Sequence, residues 1–129
     1  MSTLEVSNLN DGTTTVATTF INNGSAKATC ACYHDSGTPT ITDSTNVSSL
    51  TDDSTGTVFV NYSSNMASAQ YTTASSGWAY STWAGGSVTA TGAYAVDKVY
   101  LSHRENGSLQ DAASAPLSPL SCIVMGDLA

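Results

Sequence analysis

Apolar residues in this chain recur at every second position in short runs, and no stretch of eleven or more residues keeps the three-and-four spacing of a helix. The clearest run is Thr57 to Tyr62. There Val58, Val60 and Tyr62 fall on one face and Thr57, Phe59 and Asn61 on the other, which predicts a half-buried strand. Val47 and Leu50 mark a strand before it, and Asp52-Asp53-Ser54-Thr55-Gly56 supplies the turn. Asp and Ser fold back on their own backbone, and Gly56 takes positive φ without a steric cost. A third strand is predicted to open after Met66.

The same reading runs along the rest of the chain. Residues 1–26 are polar and Thr-rich, with turn signals at Asp11-Gly12 and Asn22-Asn23-Gly24-Ser25 and weak apolar sets at Leu4, Val6, Leu9 and at Val16, Phe20, Ile21. Such a segment buries too little apolar surface to order itself alone, so an extended arm that orders against a partner is expected. Lys27 to Tyr33 reads as a strand, Ser36 to Pro39 as a turn, and Ile41 as the centre of a brief strand. Tyr71 to Trp83 reads as a strand pair or bent strand broken at Ser75-Ser76-Gly77, followed by strands at Ser87 to Ala90 and Ala93 to His103. Glu105-Asn106-Gly107-Ser108 is a hairpin turn, Ala112 to Pro119 a loop or edge, and Cys122 to Met125 a buried closing strand. Seven or eight short strands between turns predict an all-β fold, a small antiparallel β-sandwich over 27–129 carrying the N-terminal arm 1–26.

Composition agrees. Of the 129 residues, 39 are Ser or Thr, and the good helix formers Leu, Glu, Lys and Arg are scarce. The length suits one domain with a modest core. The formal net charge is −7, with Lys27, Lys98 and Arg104 the only fixed cations, so a nucleic-acid backbone or an anionic membrane would be repelled. The first twenty residues have neither a basic start nor a continuous apolar core, so no export leader is expected, and no apolar run reaches a membrane span of about 18 residues.

Several pieces together resemble a module that recurs in bacteriophage tail-fibre and related virion appendage proteins. They are Ala26-Lys27-Ala28, Asp43-Ser44-Thr45-Asn46-Val47-Ser48-Ser49, Thr51-Asp52, Gly56, Val58 to Tyr62 and Met66-Ala67-Ser68-Ala69-Gln70-Tyr71. The opening Ser2 to Val6 and the late loop Asn106 to Asp111 are similar as well. The likeness is specific over residues 43–71 and looser elsewhere. The family usually has Trp after Lys-Ala, where this chain has Thr29, and Ala31 to Pro39 carries an extra residue. The resemblance implies a virion structural protein made in the host cytoplasm: a short tail-fibre subunit attached to the tail or baseplate, involved in host attachment and assembled as a homotrimer. A capsid decoration (cement) protein is the alternative, and a carbohydrate-binding module a more distant one.

Candidate chemistry is sparse. Three cysteines is an odd number, so at least one thiol has no partner within the chain. Cys30 and Cys32 share a strand face but lie two residues apart, beyond the ~4 Å between Cβ atoms that a disulfide needs. One of them is therefore expected to bond to a different virion protein, with buried free thiols as the alternative. Cys122, in the apolar closing strand, reads as a buried thiol. His34 joins the face of Cys30 and Cys32, yet the spacing does not match Cys-x2-4-Cys and no fourth ligand is evident, so neither a metal nor any cofactor is expected. Trp78, Tyr80 and Trp83 are the candidates for a surface that stacks on a host glycan. His34 and His103 lack a nucleophile elbow or a paired carboxylate, so no enzyme activity is expected.

Overall fold

A computed structural model of the chain describes residues 6–18, 24–35, 37–76, 87–90, 95–105, 108–109 and 120–129. Among the described residues eleven strands are present and no helix of a full turn: β1 Asn8–Asn10, β2 Thr15–Ala17, β3 Ala26–Asp35, β4 Thr38–Thr45, β5 Val47–Ser54, β6 Thr57–Tyr62, β7 Thr72–Ser76, β8 Ser87–Ala90, β9 Lys98–Glu105, β10 Ser108–Leu109 and β11 Leu120–Met125. The chain is an all-β protein with two antiparallel sheets packed as a sandwich. One sheet has the order β4-β3-β11-β7; the other has β10-β9-β6-β5, with β8 also paired to β9.

Period-two patterning decides which side chains go inside. From the first sheet come Ala28, Cys30, Cys32 and His34 of β3 and Leu120, Cys122 and Val124 of β11, all buried. From the second come Val58, Val60 and Tyr62 of β6 and Val99, Leu101 and His103 of β9. Half-buried Ile41, Val47 and Leu50 pack against this core. Pro39 sits on β4, an edge strand, where its missing N–H removes no ladder bond from a central pair.

The chain passes from one sheet to the other at Asn46. Strands β4 and β5 are separated by this single residue, which adopts φ 55°. Asn is one of the few L residues that accept the left-handed region. Its side chain fixes the corner: Nδ2 donates to the Ser64 carbonyl (3.0 Å) and Oδ1 accepts from the Ser64 N–H (2.7 Å). The β5–β6 hairpin that follows turns at Thr55-Gly56, with Gly56 at φ 72° and a register irregularity between Asp52 and Ser54. The Gly56 carbonyl accepts from the His103 N–H at 2.7 Å, tying the turn to β9.

Two expected strands begin later than the sequence pattern suggests. After Met66 the chain forms a strap, not a strand, and β7 starts only at Thr72. The strap's backbone bonds go to other segments: Met66 N–H to the Val96 carbonyl (2.7 Å), Ala67 N–H to Asp127 (2.8 Å), and the Ala129 N–H to Asn65 (2.9 Å). Met66 also bridges Leu128, so the last residues are pinned and not a loose tail. Residues 95–97 likewise form a turn closed by the Ala95–Lys98 bridge, and β9 begins at Lys98. Tyr71 locks this end, its hydroxyl lying 2.7 Å from the Lys98 carbonyl and 3.2 Å from that of Ala95.

Within the N-terminal segment, residues 8–17 fold into a hairpin that forms a sheet of its own. Its turn is made locally. The Asp11 carboxylate accepts from the N–H groups of Thr13 (2.9 Å) and Thr14 (2.7 Å), and Gly12 takes φ 96°. Those backbone donors, Thr14 first, hold the Asp11 carboxyl below its usual range. Leu9 and Val6 on this segment are exposed.

Candidate functional site

Three places in the molecule carry chemistry beyond packing. The first is the interior between the sheets. All three thiols are free and buried, at 2%, 1% and 2% exposure for Cys30, Cys32 and Cys122. Strand β3 presents Cys30 and Cys32 on one face, as their spacing of two requires, and β11 places Cys122 directly opposite Cys30. The two neighbouring thiols of β3 shift each other, Cys30 downward and Cys32 upward. Burial, followed by the neighbouring Cys30, pushes Cys122 up to about 12. His34 and His103 are buried on the inner faces of opposite sheets, at 2% exposure each. Among the described residues, no group of three or more His, Cys, Asp or Glu is arranged to hold a metal ion.

Cys30 and Cys32, the residues expected to bond to another protein, are both buried in the single chain. Both sulfurs point inward, because even-numbered β3 residues from Ala28 to His34 face the opposing sheet. A partner's cysteine reaches neither thiol unless the sandwich opens. Cys122 is the buried thiol that its apolar strand predicts.

The second place is the outer face of β6 and β9. Phe59 and Tyr100 are direct cross-strand partners, with ring centroids 5.2 Å apart and planes tilted by 57°. Lys98 Nζ lies 4.8 Å from the Phe59 centroid. Beside them Asn61 Nδ2 donates to the Ser49 hydroxyl (3.1 Å) and the Thr51 hydroxyl (2.9 Å), which fixes its amide. The set offers half-buried aromatic surface, one ammonium and a ring of hydroxyls, a combination suited to stacking against a sugar ring or a planar side chain. The alternation over Thr57 to Tyr62 already put Phe59 outside; its pairing with Tyr100 was hidden, because strand register is not written in local pattern. Trp78, Tyr80 and Trp83, the residues expected to form such a surface, lie outside the described residues.

The third place is the N-terminal hairpin, where half-buried Val16 pairs with exposed Leu9. Val6 and Leu9 are exposed apolar side chains among the described residues of this segment.

None of these places holds a nucleophile, an acid and a base in a constellation that dictates a reaction. Comparison of the chain with protein-family models, with curated proteins and with solved structures finds no match.

Proposed function

We propose that this chain is a structural protein of a bacteriophage virion: a short tail-fibre subunit joined to the tail or baseplate through its N-terminal segment, assembled as a homotrimer and acting in host attachment. The observation that carries the reading is where the residues shared with the appendage module lie. Asn46 makes the corner between the sheets, Gly56 the turn of the central hairpin, Val58, Val60 and Tyr62 the inner face of β6, Met66 the strap and Tyr71 its lock. They are framework positions, so the likeness concerns how the domain is built. A likeness in framework positions supports a building-block role. An acidic chain without a basic patch fits contact with proteins and neutral glycans better than with nucleic acid.

The test is immunogold labelling of intact particles with antibody raised against the purified chain, read beside light scattering of the chain alone. Label at the tail tip or baseplate and a trimeric mass support the proposal. Label spread over the capsid shell converts it to a decoration protein. Particles that contain no such chain by mass spectrometry refute a virion role altogether.

A further inference from the structure

We propose that Cys30 and Cys122 are a disulfide site, closing as an intrachain bond between β3 and β11 in an oxidising medium, with Cys32 left as a free thiol. The inference rests on register and burial and is independent of any virion role. Cys122 is the direct cross-strand partner of Cys30, and both side chains point into the core from adjacent strands. Directly opposed antiparallel residues have Cα atoms about 4.5–5.5 Å apart. That range falls within the roughly 4.4–6.8 Å found across disulfides. Neither other pair qualifies. Cys32 is paired with Leu120, which leaves it diagonal to Cys122 at about 7–8 Å. Cys30 and Cys32 are two apart on one strand, about 6.5 Å or more between Cα atoms.

The neighbours also set the order of events. The neighbouring Cys32 lowers Cys30 whereas burial raises Cys122, which favours Cys30 over Cys122 as the attacking sulfur. When the sandwich opens far enough to admit a small disulfide such as oxidised glutathione, the Cys30 thiolate attacks one of its sulfurs and expels the first glutathione thiolate. Cys122 then gives up its proton and attacks the Cys30 sulfur of the mixed disulfide, expelling the second. Two protein thiols and one glutathione disulfide become one protein disulfide and two glutathione thiols. Burial raises the Cys122 thiol, so the second step is expected to speed up in mild alkali. The bond would join the two central strands of its sheet and close a loop of about 90 residues. That is expected to favour the folded state on the order of a hundred- to a thousandfold.

The sequence makes the assay simple. Lys27, Lys98 and Arg104 are the only tryptic sites, so Cys30 and Cys32 leave in the fragment 28–98 and Cys122 in 105–129. The full chain is incubated with oxidised glutathione at pH 7 and pH 9, blocked with an alkylating reagent, digested, and sequenced by fragment-ion mass spectrometry without reduction. The expected product is 28–98 joined to 105–129 through Cys30, with Cys32 alkylated, forming faster at pH 9. The same link should persist in Cys32→Ala, and its formation should raise the unfolding midpoint in a way that dithiothreitol reverses. Three alkylated thiols, a bond through Cys32, or a link between two chains would each overturn the proposal. Sequencing the wild-type product keeps this outcome readable even if the variant does not fold.

Discussion

Asn46 provides the most direct test of how the two sheets are joined. The residue sits at φ 55° and bonds to Ser64 through both ends of its amide, at 3.0 Å and 2.7 Å. Replacement by Ala removes both bonds, each worth about 0.5–1 kcal/mol at a partly solvated site. It also places a Cβ residue lacking the local compensation of Asn in the left-handed region, a cost of about 1–2 kcal/mol. Asn46→Ala should therefore destabilise by ~2–4 kcal/mol. Asn46→Gly loses the same bonds but relieves the backbone, against about 0.4–1 kcal/mol of added chain entropy, so it should be milder than Ala by roughly 0.5–1 kcal/mol. Asn46→Asp keeps the acceptor for the Ser64 N–H and the tolerance of positive φ, and should lose only about 1 kcal/mol. The order of damage is Asp, then Gly, then Ala. Urea unfolding followed by far-UV circular dichroism measures it, with m unchanged across the series. Equal losses for Ala and Gly would show that the relief of the backbone is no larger than the added chain entropy of Gly. Losses below about 0.5 kcal/mol for all three would show that the sheets are joined by the core alone.

Two further outcomes follow from packing and burial. A Cβ added at Gly126 meets the Tyr71 Cβ at 2.9 Å, so Gly126→Ala should cost about 1–3 kcal/mol by forcing the strap and C-terminal segment apart; a thermal midpoint unchanged from wild type would refute the contact. Cys122 is raised to about 12 by burial, against about 8.5–9 in an unfolded chain, so its contribution is fully present below pH 9 and is lost as pH rises towards 12. The reduced chain should accordingly lose stability in alkali, and Cys122→Ala should flatten that slope; an identical slope in the variant would place its cause elsewhere.

Much of the fold is legible in the sequence because one face of each sheet is buried and the side-chain period is two. The alternation over Thr57 to Tyr62 predicts a strand whose inward residues Val58, Val60 and Tyr62 are buried, Lys27 to Tyr33 lies within a strand as its pattern suggests, and the turn at Gly56 is set by its own residue types. What local pattern misses is governed by distant partners. Alternation continues through Ala95 and Val96, yet the backbone there turns, because the Val96 and Asp97 carbonyls accept from Met66 and Tyr62. The strap after Met66 looks like a strand for the same reason: its N–H groups find acceptors, but in several segments and not in one ladder. Candidate chemistry was harder still. The common face of Cys30 and Cys32 follows from spacing, but which way that face points depends on the sheet opposite, and the approach of Cys122 depends on register across ninety residues of chain.

The composition of the two inner faces explains why cross-linking and association both suit this domain. The β6–β9 face is built of Val, Leu, Tyr and one His, whereas β3 contributes Ala, two Cys and a His, which bury less apolar area per residue. A domain of this size with one sparse inner face has a small margin of stability. A Cys30–Cys122 bond would widen that margin through the unfolded state, by an amount independent of how concentrated the protein is. Association of copies would widen it by mass action, so its benefit grows with concentration and disappears on dilution. The two contributions are thus separable in one chain: the oxidised form should keep its added stability at nanomolar concentration, where any stability drawn from neighbouring copies has been lost.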